Sequence, residues 1–289
     1  MNASNRVYSF AFICAHLRAA LLLLAAMQAM PAAALDLKGS WQQGSLVTGQ
    51  VEPGTQVWFK DRALRVSPQG NFVFGLDRDE PVEVEVELRW QGRGDTTPQA
   101  RRYAVAPRPW NIQRIDGLPQ DKVEPPTAVT ARIEREQALL NAARDRDTTG
   151  QGWRQGFAWA ATGRISGVFG NQRILNGIPK QPHYGVDVAV PVGTPIRAPA
   201  DGIVSLAEPD LYFTGGTLMI DHGHGVHSIM VHLSALKIGV GEPVRQGEVV
   251  ALSGKTGRAT GPHLHWGIGW FRSRVDPQTL LPPMPAQRR

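Results

Sequence analysis

The run Val82-Glu83-Val84-Glu85-Val86-Glu87-Leu88 alternates apolar and acidic residues without a break. Wound as a helix it would put glutamates on opposite sides. Extended, it puts Val82, Val84, Val86 and Leu88 on one face and the glutamates on the other. A chain with such a run builds a sheet with one dry and one wet face. Shorter runs surround it, Gln56-Val57-Trp58-Phe59 and Asn71-Phe72-Val73-Phe74, with turn signals at Pro53-Gly54 and Gln69-Gly70-Asn71. Residues 35–107 therefore read as a small N-terminal antiparallel β-sandwich with no constellation of reactive side chains. The abundance of turn formers, Gly 31 and Pro 22 in 289 residues, extends the β expectation to the rest of the chain.

Residues 1–34 read as a secretory signal peptide. Arg6 and Arg18 supply its positive charge, Ala19–Ala26 a short apolar core, and Ala32-Ala33-Ala34 a cleavage site. The apolar stretch falls short of the roughly 20 residues a membrane span needs. Cleavage lowers the net charge from +6 to +4 and removes Cys14, the sole cysteine, so no disulfide framework is expected. The mature protein is expected outside the cytoplasm, in the periplasm by preference, without a stable membrane span. The modest basic excess and the lack of an aromatic–basic stripe argue against nucleic acid.

Residues 108–156 read as a linker plus one helix. Pro109, Pro119, Pro125 and Pro126 should break regular structure up to about Pro126. Thr127–Arg146 is the one helical stretch, with Ile133, Leu139, Leu140 and Ala143 at roughly helical spacing and Thr127 or Thr130 available as caps. Residues 157–281 read as an antiparallel β domain with strands near 196–198, 202–207, 218–221, 226–233 and 249–253. Residues 282–289 form a tail.

Seven of the eight histidines lie between His183 and His265. His183 and Asp187 are four apart; a straight strand would separate them by roughly 13 Å. If they share an ion, the chain bends at Gly185, where glycine permits it. His263 and His265, at i and i+2, face the same way in a strand, with Leu264 opposite and Pro262 at the strand start. Alternation groups His232 with Val226, Ser228 and Met230, and puts His227 on the other face.

In order, these motifs are His183, Gly185 and Asp187; Gly193-Thr194-Pro195; Asp221-His222-Gly223 with Gly225; His232-Leu233-Ser234; and Thr256-Gly257 with Thr260 to His265. Over residues 162–277 the chain resembles the lysostaphin/LytM-type zinc metallopeptidases, which cut peptide bonds in peptidoglycan. The resemblance implies one zinc ion per chain held by His183, Asp187 and His265, with His232 and His263 as non-ligand catalytic residues. Three protein ligands leave a fourth position open, as a catalytic zinc requires. No HExxH glutamate is present, so the histidines would serve as base and acid, in an order the sequence leaves open. Met230 departs from the family, which often has an aromatic residue there. His224 and His227 read as loop and strand surface, and His222 as the support of a turn.

The implied function is a zinc-dependent endopeptidase acting on peptidoglycan peptides, with any protein partner unknown. The alternative is a non-catalytic LytM-like module that binds peptidoglycan or regulates a partner hydrolase. Ser253-Gly254-Lys255-Thr256 suggests a phosphate loop, but position 249 is Val where that loop needs glycine. The Pro-rich segment from Trp110 to Pro126 is a candidate restraint lying across the cleft.

Overall fold

The computed structural model describes residues 35–90 and 98–285, which belong to one compact unit. The expected signal peptide, Cys14 and the last four residues of the tail lie outside the described residues. Among those described, no helix is long and apolar enough to cross a membrane.

The N-terminal residues form strands β1 (Asp36–Gly39), β2 (Leu46–Gln50), β3 (Thr55–Phe59), β4 (Arg62–Ala63), β5 (Asn71–Gly75), β6 (Glu83–Trp90) and β7 (Gln99–Ala104). They make two antiparallel sheets, β1-β2-β5 and β4-β3-β6-β7. The sheets meet where the Phe59 and Phe74 rings lie 4.3 Å apart. In β6, Val84, Val86 and Leu88 are buried while Glu83 and Glu85 are exposed, as the alternation requires. Val82 is a correction: it precedes the strand and is 65% exposed.

The segment beyond Pro107 is more ordered than its prolines suggest. Strand β8 (Ile112–Ile115) fits the proline-free stretch between Pro109 and Pro119 and pairs in parallel with β10 (Gln172–Leu175). A single turn, α1 (Gln120–Val123), and a 3₁₀ turn (Thr127–Val129) lead into helix α2 (Thr130–Arg144). No side chain caps α2 or the 3₁₀ turn, so the expected threonine caps do not form. Leu139 is 45% exposed and lies off the packing face. Leu140 and Ala143 bury against Leu206, Leu211, Met219, Ile229 and Val231.

The remaining strands are β9 (Arg164–Gly167), β11 (Ile178–Pro179), β12 (Val186–Ala189), β13 (Pro195–Arg197), β14 (Gly202–Leu211), β15 (Gly215–Gly223), β16 (Val226–Leu233), β17 (Ala235–Leu236), β18 (Pro243–Val244), β19 (Val249–Leu252), β20 (Leu264–Trp270) and β21 (Ser273–Val275). One sheet runs β18-β14-β15-β16-β20-β12-β9, with β21 against β20; a smaller one runs β13-β19-β17. The fold is thus mainly β, and its sheets are antiparallel apart from the β8–β10 pair. One hydrophobic core runs from Phe72 and Val86 to Trp266 and Val275, so the N-terminal sheets and the large sheet share a common interior.

Candidate active site

Strands β12 and β20 pair so that Asp187 stands directly opposite His265. Directly opposed residues point to the same face, so the carboxylate and imidazole meet without any special loop. His183 lies before β12, where the chain doubles back: its N–H donates to the Asn171 carbonyl, and its own carbonyl accepts from the Gly170 N–H. The chain bends at Gly185, the position expected if His183 and Asp187 share an ion, but Gly185 does not have a left-handed backbone. Its role is clearance. A Cβ there would stand 2.8 Å from His265 Nε2 and 2.5 Å from the Trp266 carbonyl oxygen.

His183 Nε2, Asp187 Oδ1 and His265 Nδ1 converge. Nε2 is 2.9 Å from Oδ1 and 2.8 Å from Nδ1, and Nδ1 is 2.8 Å from Oδ1. His183 Nδ1–H donates to the Val168 carbonyl oxygen at 2.9 Å. A neutral His183 therefore presents a lone pair at Nε2. Neutral His265 can place at most one proton among these three atoms, so they carry more lone pairs than protons. That is the electrostatics of a cation site, and two imidazoles with a carboxylate suit a first-row transition metal. Donors ~2.0 Å from a tetrahedral ion lie ~3.3 Å apart, so a shift of a few tenths of an ångström would admit one. The residues fit a zinc ion.

The charges agree. Burial alone would raise the Asp187 carboxyl, but hydrogen bonds and charge from His183 and His265 hold it well below the usual carboxylate range. Burial pushes His265 down to about 4, with Asp187 opposing. Arg173, from β10, places Nη2 3.1 Å from Asp187 Oδ2. Sequence reasoning missed Arg173; nothing in Asn171-Gln172-Arg173 marks it, because its partner is fixed only by the return of the chain past His183.

His232 and His263 stand beside this trio. Their ring centroids are 4.8 Å apart, that of His232 is 6.4 Å from His265, and His263 Nε2 is 3.9 Å from Asp187 Oδ1. His263 shares the face of His265, as the i, i+2 spacing predicts. His232 gets there differently. Strand alternation would leave it on the side of Met230, which opposes Trp266, whereas Val231 opposes His265. His232 instead adopts φ +64°, a left-handed backbone that swings its ring toward the other histidines. Its N–H donates to the Thr214 carbonyl oxygen, and its Nδ1–H to the Thr256 carbonyl oxygen, both at 2.8 Å. His263 Nδ1–H donates to the Gly261 carbonyl oxygen at 2.8 Å. In its neutral form each ring thus directs the Nε2 lone pair away from its backbone anchor. Burial, then repulsion from His263 and His265, pushes His232 down to about 3.

Among the described residues, the other histidines do not join this group. His222 lies in β15, not in a turn, and is buried; its Nδ1–H donates to the Asp201 carbonyl oxygen and its Nε2 accepts from Ser228 Oγ. His224 and His227 are buried rather than on the surface. His227 opposes Gly269 and so sits at the far end of β16 from His232.

The description "Peptidase family M23" matches residues 181–277. The peptidoglycan DD-endopeptidase ShyA of Vibrio cholerae is 40% identical over 107 residues, covering 36% of this chain and 24% of that protein. The chain spans less than a quarter of the length of the curated relatives that lead this comparison. A Pseudomonas aeruginosa crystal structure described under peptidase M23 is 29% identical and covers 83% of this chain and 93% of that one, with a TM-score of 0.62. The catalytic domain of lysostaphin from Staphylococcus simulans is 30% identical over 42% of this chain and 90% of its own length, with a TM-score of 0.34. With His183, Asp187, His232, His263 and His265 all inside the matched segment, residues 181–277 of this chain form a peptidase family M23 domain of the lysostaphin/LytM type.

Proposed function

We propose that this protein is an exported, zinc-dependent endopeptidase that hydrolyses peptide bonds in peptidoglycan stems or cross-links. The observation that carries this reading is the meeting of His183 Nε2, Asp187 Oδ1 and His265 Nδ1, all within 4.8 Å of one another. The donor set alone suits other first-row ions; membership of the family favours zinc. The relative named as a peptidoglycan DD-endopeptidase favours the substrate.

His183, Asp187 and His265 would hold the ion. Bound there, zinc supplies a Lewis acid and makes water acidic near neutral pH. His232 and His263 have their Nδ1 protons fixed by backbone carbonyls, so each enters the reaction as a proton acceptor at Nε2. One takes the proton of the attacking water, and an imidazole so protonated returns it to the leaving amine. The left-handed backbone at His232 is the kind of local strain expected at a functional position.

The test is digestion of purified peptidoglycan, with mass analysis of the released fragments. Peptide fragments should appear, cease with chelator and return with zinc. Zinc-loaded protein that releases nothing would favour the alternative, a non-catalytic module that binds peptidoglycan or regulates a partner hydrolase.

A second reading concerns restraint by the segment before α2. Leu118 and Val123 pack on Leu175, and Leu118 exchanges hydrogen bonds with the Asn176 side chain. On the other side, Tyr212 Oη–H donates to the Asp121 carbonyl oxygen and Arg258 to that of Lys122. The segment thus ties the β10–β11 hairpin, next to Arg173, to the loop that carries Thr256. We infer that it limits access to the cleft. Leu118→Asp should raise the rate on peptidoglycan several-fold; an unchanged rate would remove the restraint.

A further inference from the structure

The two oxygens of Asp187 have different neighbours. Oδ1 faces His183 Nε2, His265 Nδ1 and, at 3.9 Å, His263 Nε2. Oδ2 faces Arg173 Nη2 at 3.1 Å and the bare α-carbon of Gly167, where a Cβ would stand 2.3 Å away. Arg173 reaches this point from β10, held in place by pairing with β8 and β11. Asp187 is its one acid partner within ion-pair distance among the described residues, and its Nε has no hydrogen-bond partner.

A carboxylate can grip a metal with one oxygen or with both. If both oxygens turn to the ion, they crowd the position a catalytic zinc keeps open for water and substrate. We propose that Arg173 is a positioning residue: it holds Asp187 Oδ2 away from the metal, so that Asp187 binds through Oδ1 alone and the fourth position stays free. Gly167 makes room for Oδ2 in that orientation. The proposal rests on the zinc-peptidase reading.

Its consequence differs in sign from that of charge alone. A guanidinium close to a divalent cation repels it, so by charge its removal should tighten metal binding. By positioning, removal should loosen binding, because Asp187 is then free to turn. Partners that orient metal ligands typically contribute 10–100-fold in affinity.

The experiment measures zinc affinity of the full-length protein by chelator competition, with metal-free melting as the check on folding. Arg173→Met should weaken zinc by about tenfold or more. Arg173→Lys, which keeps an N–H donor, should recover most of that loss. At saturating zinc, Arg173→Met should lower kcat more than it changes KM. Arg173→Met binding zinc as tightly as the parent, or more tightly, overturns the proposal. So does equal loss in the Lys and Met variants. Should Arg173→Met fail to fold, Gly167→Ala applies the same test from the other side of Oδ2: weaker zinc supports the proposal and unchanged affinity overturns it. A parent protein that binds no zinc instead defeats the zinc-peptidase reading itself.

Discussion

Strands β6 and β16 are both eight residues long, and they carry information in opposite ways. In β6 one face is wet, so Glu83 and Glu85 alternate with Val84, Val86 and Leu88, and polarity reports direction. In β16 all eight residues are buried, because β15 and β20 flank it, α2 covers one face and the main core the other. His227, Ser228 and His232 are interior there, so polarity no longer reports which way a side chain points. The wet-faced strand is regular and makes structure. The enclosed strand breaks its own rule at His232, where the left-handed backbone costs of order 1–3 kcal/mol and two backbone carbonyls hold the residue in place.

The sharpest test of this contrast removes single imidazoles from the enclosed half. His265→Ala deletes one imidazole of the proposed metal site while leaving the backbone groups of the β12–β20 ladder in place. It should abolish stoichiometric zinc and lower peptidoglycan hydrolysis by more than about 1000-fold. Metal analysis and turnover check it; retained zinc would move the metal centre elsewhere.

His232→Ala should have the next largest effect and a different signature. His232 lies beside the trio, so zinc should stay bound while the rate falls by about 100-fold or more. Normal turnover in zinc-loaded His232→Ala protein would take His232 out of the reaction and leave its strained backbone without a purpose.

What could be read from the sequence follows from this division. The β class, the strand runs, α2, the shared face of His263 and His265, and the need for a bend between His183 and Asp187 all rest on local periodicity or reach. The position of His232 does not, because a tertiary contact with the Thr256 carbonyl overrides strand alternation. Arg173 was invisible because its partner is 14 residues away around a hairpin. The burial of His224 and His227 was missed for a related reason. Histidine tolerates either environment, and tertiary packing decides it: Trp153 lies 5.4 Å from the His224 ring, and Gly269 stands opposite His227.

The enclosed half should also respond to acid more strongly than the wet-faced half. Burial pushes His222 down to about 4, against the opposing pull of the Asp201 carbonyl and the Asp221 and Asp201 charges. Its folded value lies below the ordinary one near 6.5, so the unfolded chain binds more protons between the two. Its contribution is therefore complete above pH ~6.5, falls as pH drops toward 4, and levels off below that, a change of about 3 kcal/mol. His227, pushed by burial to about 3, acts in the same direction. Urea unfolding of metal-free protein at pH 7 and pH 4.5 should show this loss, and His222→Gln should flatten the slope. A slope unchanged in the variant would assign the acid sensitivity to other groups.

The smallest effect tests the wet-faced half. Periodicity places Val82 and Val84 on one apolar face, but the strand begins at Glu83, leaving Val82 65% exposed and Val84 8% exposed. Alternation reports burial only as far as the ladder extends. The Val82 carbonyl still accepts from the Val105 N–H, so its backbone is fixed while its side chain gains nothing from the core. Val84→Ala should destabilise the protein by about 1–2 kcal/mol, through two buried methyl groups and the space they leave. Val82→Ala should stay within about 0.5 kcal/mol of the parent. Equal losses would mean that the apolar face continues past the end of the strand, and that the run Val82–Leu88 packs as its sequence pattern alone implies.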